Sequence, residues 1–480
     1  MKPTKVLIST DSAQIHTGLA ETCRLMFKRL LEKYPGQYDI EQLGWFHFNN
    51  GSEKVPWKIH QTNLNTKSNG QKEIDQSDRY GQRTFESIRH KVNPDIVWTN
   101  GDLWCFDHVL NSPTRNAFRL CVYHTIDGSP YFGSKIKTSE GHTEWGSKLA
   151  KADRIAVLTE WGSEVLGHLP ELKGRNIDVV YHPVDMERFK KYTKEEKLEM
   201  RNSSYPPNMP RDAFVLGWVG RNQFRKMNYK MWEVLHYMKH GDYIKCKDCG
   251  RVTVKEWDHA AMKPREVGKL MKYEADYDYS HCWHCKSDKV DQGKPISDIY
   301  FWMHMNKQDP GWNCDSLSEM WDVGDKITFT NGIQSSKGLP PEVLAKLIGS
   351  WDGSIYLSGG EGFGIPAFES LMSGVPTIYS NYSSHADYCK HGGLPVRVDF
   401  IPELGLTIHR SIADTNHAVE QVLWAYNNQE EFDKLGESGR AFAETKALDV
   451  IVDQWHAIFQ EMMKKPLPVN STEKVYAQTV

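Results

Sequence analysis

No run of about 18 apolar residues occurs in the 480-residue chain, which argues against a membrane-spanning helix. A mean hydropathy of −0.60 agrees. The amino end offers only Val6-Leu7-Ile8 as an apolar stretch. That is too short for the apolar region of a signal peptide and reads as a first buried strand. An excess of one charge is also missing: 59 Lys+Arg stand against 62 Asp+Glu, a net charge of −3. This excludes a uniformly basic nucleic-acid coat and a polybasic membrane binder, and leaves room for a local basic patch. Internal repeats and low-complexity blocks are absent. Cysteine is scarce, and four of the nine cysteines sit in two Cys-x-x-Cys pairs. Reduced thiols with one metal site fit that pattern better than a disulfide scaffold, so the expected compartment is the cytoplasm.

Aromatic residues are plentiful, with 16 Trp, 21 Tyr and 18 Phe, and they supply the buried surface that offsets chain entropy. The length exceeds one ordinary core. Residues 6–9, 95–99, 120–124, 155–158 and 179–181 read as strands. Leu19, Cys23, Met26, Leu30 and Leu31 share a helix face, and 160–166 reads as a further helix. The polar stretch 47–80 reads as a surface excursion. The alternation restarts at 214–220 and continues with strands at 299–305, 326–330, 354–357 and 376–379 and helices at 344–348, 367–373 and 417–427. The expected fold class is therefore α/β: two Rossmann-like, doubly wound domains facing a cleft, with ligands outside the carboxyl ends of the strands. The expected boundaries are a first domain at 1–183, a linker at 184–212 and a second domain at 213–450, with an insertion at 240–292. A C-terminal helix at 451–465, apolar on one face, and a frayed tail at 466–480 complete the chain.

The insertion carries Cys246-Lys-Asp-Cys249-Gly250 and Cys282-Trp-His-Cys285. Two such turns deliver four thiolates to a tetrahedral zinc ion, a closed set that suits a structural role. The 32 residues between the pairs exceed the ~15–20 of a zinc ribbon, so the module is only ribbon-like. His259, His281 and His284 are nearby substitutes for a cysteine ligand. Lys245, Lys247, Arg251, Lys255, Lys263, Arg265, Lys269 and Lys272 interleave with Trp257, Tyr273, Tyr277 and Tyr279. Such a mixture can follow a phosphate backbone and stack bases, although a solvated face is its commoner use.

The most specific segment is Ser358-Gly-Gly-Glu361-Gly-Phe-Gly-Ile-Pro-Ala-Phe-Glu369. A strand enters a glycine-rich turn, and Pro366 suits the first turn of a helix whose free N–H groups face a bound anion. Glu369, about one turn inside, can reach a sugar hydroxyl, and Glu361 lies on the loop itself. Spacing alone is uninformative, since Glu187/Glu195 and Glu266/Glu274 repeat it in charged stretches. With its glycines and proline, the segment resembles the E-x7-E signature of retaining GT-B glycosyltransferases of family 4 type. Gly217-Trp-Val-Gly220-Arg221-Asn-Gln-Phe-Arg-Lys226 resembles that family's strand-plus-basic motif, with Arg225 as an adjacent alternative. Ser9-Thr-Asp11 through Gly18 resembles its first loop, with less glycine, and Tyr123-His124-Thr-Ile-Asp127-Gly resembles its strand-end histidine. Residues 152–161 and 181–185 fit its strands near the cleft, and the C-terminal helix fits its crossover helix.

The resemblance implies an enzyme of the hexosyltransferase class, with an acceptor-side first domain and a second domain that binds a nucleotide sugar. It implies Glu361, His124, Arg221 and Lys226 as catalytic residues and Gly18, Gly362, Phe363, Gly364 and Glu369 as donor contacts. Cys246, Cys249, Cys282 and Cys285 are the expected structural zinc ligands. The co-substrate is a UDP- or GDP-sugar, and no catalytic metal is expected. Asp276-Tyr-Asp278, which has the metal-binding DxD form, lies in the insertion and is read as having no catalytic role. The acceptor is a hydroxyl, and a hydroxymethylated base in DNA is one expectation. Other readings are a glycan or small-molecule glycosyltransferase with a purely structural zinc module, and a synthase or phosphorylase using a sugar phosphate. A non-enzymatic nucleic-acid-binding module is opposed by the complete donor motif.

Overall fold

The two alternating stretches become two separate parallel sheets in the computed structural model, which describes residues 2–15, 17–47, 54–131, 144–255, 257–258, 263–264, 279–333, 338–403 and 408–467. The chain divides into two units: Met1–Asp185 with Glu403–Ile408 and Lys446–Val480, and Met186–Pro402 with His409–Thr445.

The first unit is built on β1 (Thr4–Asp11), β2 (Tyr38–Trp45), β3 (Lys58–Gln61), β4 (Ile96–Gly101), β5 (Arg119–His124), β6 (Arg154–Val157) and β7 (Ile177–Val179), in the order β3-β2-β1-β4-β5-β6-β7. All pairs are parallel, with Val6 opposite Ile96 and Trp98 opposite Cys121. A parallel sheet is covered on both faces, hence the unbroken apolar runs. One face packs Leu7, Val97, Leu120 and Val122 against Phe85, Phe106 and Val109. The opposite side carries helix α1 (Gly18–Lys33), capped by the Thr17 side chain, which accepts from the Ala20 amide. Phe27 of α1 meets Trp98 edge-on at 5.1 Å. The C-terminal helix Leu448–Lys464 lies beside α1: Trp455 is 5.8 Å from Trp98 and 5.0 Å from Tyr123, and His456 stacks on Tyr34 at 3.7 Å.

Two expectations need correction. Lys58–Gln61, inside the stretch read as a surface excursion, is an edge strand of the main sheet, with Trp57 and His60 buried. An edge strand has one partner and can stay polar on its outer positions, so its composition hid it. The charged stretch read as a linker holds helix α3, counting Glu160–Gly167 as α2; α3 is Lys194–Ser204. A Thr193/Glu196 capping box starts α3, and two of its charges fasten it: Lys197 donates to the Trp351 carbonyl at 2.9 Å and Arg201 to the Ser350 carbonyl at 2.9 Å.

The second unit's sheet takes β8 (Phe214–Val219), β12 (Ile299–His304), β13 (Ile327–Phe329), β14 (Gly353–Tyr356), β15 (Thr377–Ser380) and β16 (Gly393–Val396), in the order β13-β12-β8-β14-β15-β16, all parallel. Gly217 in β8 cannot carry a side chain, because a Cβ would stand 2.0 Å from the Trp351 ring. Between β8 and β12 come helix α4 (Tyr229–His240) and the inserted strands β9 (Tyr243–Cys246), β10 (Val252–Val254) and β11 (Val290–Gln292), an antiparallel sheet with β9 in the middle. Helices α5 (Ile365–Met372), α6 (Ser383–Tyr388) and α7 (Thr415–Asn427) follow β14, β15 and β16 in the chain. The inserted sheet rests on α7: the Val254 amide donates to the Asn416 side chain at 2.8 Å and the Val252 amide to Glu420 at 3.3 Å. The unit ends at Thr445, earlier than the expected 450, and the last helix belongs to the first unit. No helix among the described residues is long and apolar enough to cross a membrane.

Candidate active site

Chemistry-bearing residues of the second unit gather where β8 and β14 end, as open parallel sheets lead one to expect. After β8 the chain runs through Arg221 to a short turn, Phe224–Lys226; after β14 it forms the glycine loop and enters α5. The two segments are joined: the Gly359 amide donates to the Arg225 carbonyl at 2.8 Å, and Arg225 Nη1 donates to the Gly360 carbonyl at 3.0 Å. A Cβ on Gly359 would meet that Arg225 oxygen at 3.0 Å, so glycine permits the approach.

Glu361 is buried in this junction. Lys226 Nζ donates to its Oε1 at 2.5 Å and Arg225 Nη1 to its Oε2 at 3.1 Å. Burial pushes the Glu361 carboxyl up, but the charges of Lys226 and Arg225 outweigh that and hold it well below the usual carboxylate range. The site is an ionised carboxylate with two cations on it, a group ready to exchange partners with an incoming anion.

Helix α6 backs the loop. The Glu361 amide donates to Ser383 Oγ at 2.9 Å, and Ser384 Oγ donates to the Gly362 carbonyl at 2.8 Å. The Tyr388 hydroxyl is shared between the carbonyls of Phe363 and Gly364, each at 2.7 Å. Gly364 is left-handed, with φ +82°, and a Cβ there would lie 2.5 Å from His385 Nε2. Burial lowers His385 to about 4, against the pull of Glu361, so its ring is neutral near pH 7. None of Ser383, Ser384, His385 or Tyr388 was singled out from the sequence, because a short polar helix after a strand carries no periodic signal.

Glu369 lies in α5, partly buried. Burial pushes its carboxyl up to about 7, with Arg188 pulling the other way. Among the described residues its side-chain carboxylate accepts no hydrogen bond. The buried hydroxyls of Ser358 and Ser380, at the ends of β14 and β15, are likewise unpartnered among the described residues.

Arg221 is not part of the Glu361 cluster. It forms a two-pronged contact with the buried Asp309, at 3.0 and 3.3 Å, and its side chain is 57% exposed. Asn222 locks the same loop by donating to the Trp312 carbonyl at 2.7 Å and accepting from the Trp312 amide at 2.9 Å. Arg225, held as the alternative, therefore takes the place beside Lys226.

In the first unit, His124 ends β5 buried, donating from Nδ1 to the Gly101 carbonyl at 2.9 Å and accepting at Nε2 from the Tyr131 hydroxyl at 2.8 Å. Burial lowers it to about 4. Gly18 is the first residue of α1, one after Thr17, whose hydroxyl donates to Asp11 at 2.6 Å. Asp11 is pushed up to about 6 by burial, with that hydrogen bond opposing. His16 lies outside the described residues.

In the insertion, the Sγ atoms of Cys246, Cys249, Cys282 and Cys285 all lie within 4.8 Å of one another, with Cys246–Cys285 at 3.5 Å and Cys249–Cys282 at 3.6 Å. Zinc–thiolate bonds of about 2.3 Å in a tetrahedron place sulfurs roughly 3.8 Å apart, so this donor set fits the ion. Gly250, with φ +74°, supplies the turn after the first pair. All nine cysteines are free thiols. His281 and His284 are not in the sulfur cluster. Lys247 pairs with Asp291 at 2.9 Å. His259, Arg265, Lys269, Lys272, Tyr273, Tyr277 and the Asp276/Asp278 pair lie outside the described residues, as do the side chains of Trp257 and Lys263.

No protein-family model matches the chain, and no curated protein does. Solved structures do match over nearly its whole length. Sucrose-phosphate synthase from Thermosynechococcus elongatus aligns with TM-score 0.66 at 13% identity, covering 96% of this chain and 99% of that one. HepE from Anabaena, solved with UDP-glucose, gives 0.58 at 10% identity over 95% and 99%. The catalytic domain of starch synthase IV from Arabidopsis thaliana, bound to ADP and acarbose, gives 0.58 at 10% identity over 97% and 100%. The chain thus has an α/β fold of GT-B type, shared with these glycosyltransferases.

Proposed function

We propose that this chain is a retaining, nucleotide-sugar-dependent glycosyltransferase of the hexosyltransferase class. The observation that carries the reading is the Glu361 carboxylate held by Lys226 and Arg225 at a glycine loop that opens directly into a helix N-terminus. On binding, the donor's diphosphate takes over the two cations and the loop amides, and Glu361 turns to the sugar hydroxyls. Glu369 accepts from the ribose. The bond between the anomeric carbon and the diphosphate oxygen breaks, its electron pair leaving with that oxygen. The acceptor oxygen bonds to the same face of the sugar, and its proton passes to the departing phosphate. Fixed cations and amides stabilise the charge as it develops. The reading gives the first unit His124 and Gly18 as contacts to bound substrate. Arg221, exposed and aimed by Asp309, is a further cation for the phosphates.

The four cysteines hold structural zinc in this reading, with no catalytic role, and a cytoplasmic setting fits cysteines that form no disulfide. The nucleotides and sugars in the solved relatives support a sugar-nucleotide donor. Two acceptor classes enter the test. The lysines and arginines of the insertion put hydroxymethylated DNA in the panel, and the likeness to sucrose-phosphate synthase puts sugar phosphates there.

The test is nucleotide release from UDP-, GDP- and ADP-sugars, alone, with sugar phosphates, and with duplex DNA carrying 5-hydroxymethylcytosine or 5-hydroxymethyluracil. One donor is expected to be turned over, and Glu369→Ala is expected to lower turnover at least a hundredfold with the fold intact. Wild-type rates in that variant would overturn the reading. Stimulation by one acceptor alone fixes the acceptor class.

A further inference from the structure

A glycine loop has many conformations, and an anion cradle needs one of them. In a trans peptide the carbonyl of one residue and the N–H of the next point in opposite directions. Fixing a carbonyl therefore aims the following amide. Three successive carbonyls of the loop are fixed from the same side. Ser384 holds that of Gly362, and Tyr388 holds those of Phe363 and Gly364. The amides of Phe363, Gly364 and Ile365 are then turned away from α6. Among the described residues, those of Gly364 and Ile365 donate to nothing. Gly364, left-handed and followed by helical Ile365, completes the concave run of N–H groups that favours anions.

The two hydroxyls that do this are rigidly set. Ser384 and Tyr388 are fully buried. The Tyr388 ring is packed by Phe363 and Phe368, each 5.2 Å away, and by His385 at 6.1 Å. Gly364 leaves room for this backing, since a Cβ there would also come within 2.9 Å of the Tyr388 hydroxyl oxygen.

We infer that Ser384 and Tyr388 are positioning residues for the donor diphosphate. By holding the loop carbonyls against α6 they aim its amides at the phosphates, without touching the substrate themselves. The inference rests on the glycosyltransferase reading and adds to it the element that shapes the phosphate site.

Titration calorimetry with UDP, GDP and ADP on the full-length protein tests it, with thermal midpoints measured alongside. The variants are Tyr388→Phe, Ser384→Ala and a control, Tyr205→Phe. The control removes a buried hydroxyl bonded to Ser350 that makes no contact with the loop. Tyr388→Phe is expected to weaken the preferred nucleotide about tenfold, as loss of one well-placed buried hydrogen bond does. Ser384→Ala should weaken it severalfold. Tyr205→Phe should lower the midpoint comparably and leave affinity within twofold of wild type. Wild-type affinity in both loop variants overturns the inference and leaves the glycosyltransferase reading standing. Affinity lost equally in the control also overturns it, because the effect is then general instability. Absence of binding of all three nucleotides by the wild type overturns the reading and the inference together.

Discussion

Glu361 and Glu369 belong to one loop-and-helix segment and titrate in opposite directions. Burial raises both, and only Glu361 has cations close enough to reverse it. The folded value of Glu361 lies below its unfolded value of about 4.3. Its stabilisation is therefore complete at neutral pH and is lost progressively as pH falls through the unfolded value toward the folded one. Glu361→Gln leaves Lys226 and Arg225 without their counter-charge and should cost about 2–3 kcal/mol at pH 7, with a shallower acid limb in thermal melts. Glu369 is the reverse case. Its folded value near 7 lies above the unfolded one, so its penalty grows as pH rises from about 4.3 and levels off above 7. Glu369→Gln should raise the thermal midpoint at pH 8, by up to about 2 kcal/mol in stability, and leave it unchanged at pH 4. In the wild type, nucleotide affinity should fall as pH drops through 7, and this dependence should vanish in Glu369→Gln. The pair was legible in the sequence from its glycine and proline context. The sign of each shift was not, because it depends on which cations the fold brings near.

At the scale of elements, the glycine loop works because its turn residue has no side chain. Gly364→Ala forces a left-handed alanine and drives its Cβ into the buried His385. A loss of about 2 kcal/mol or more, with nucleotide binding abolished, is expected from melts and calorimetry. On the proposed reading, zinc held by the four thiolates staples the inserted three-stranded sheet. Cys249→Ala should lose one equivalent of zinc by elemental analysis. Amide exchange should then speed up in β9 and β10 and along α7, where Asn416 and Glu420 receive the sheet. Unchanged exchange there would mean that the sheet holds without the ion. The two Cys-x-x-Cys pairs were read directly from spacing. Their docking on α7 was not, since Asn416 and Glu420 carry no motif. The charged helix α3 was missed for a related reason: its burying residues are Lys197 and Arg201, which pattern reading assigns to solvent.

At the scale of the whole chain, the first unit is completed by its last helix. Leu448–Lys464 buries Ile451, Val452, Trp455, Ile458, Phe459 and Met462, and its outer edge pairs Asp449 with Arg29 and Asp453 with Lys33. Six such side chains at ~1.5–3 kcal/mol each rival the ~5–15 kcal/mol stability of a whole domain. A chain truncated after Thr445 should therefore lose the unfolding transition of the first unit. The measurement is amide exchange in β1, β4 and β5, which should become fast throughout the truncated chain. Protection retained there would show that the helix is dispensable.

The sequence by itself determined the two alternating α/β segments, the zinc-like thiol pairs and the glycine-loop glutamates. Each is written in local order, as apolar period, turn residues or ligand spacing, and needs no distant partner to be read. Tertiary structure decided that Lys58–Gln61 joins the sheet and that Arg225 accompanies Lys226 at Glu361 while Arg221 goes to Asp309. It also decided that α6 backs the loop and that the last helix returns to the first unit. These are contacts between residues far apart in the chain, and they are chosen by burial and charge compensation in the folded molecule.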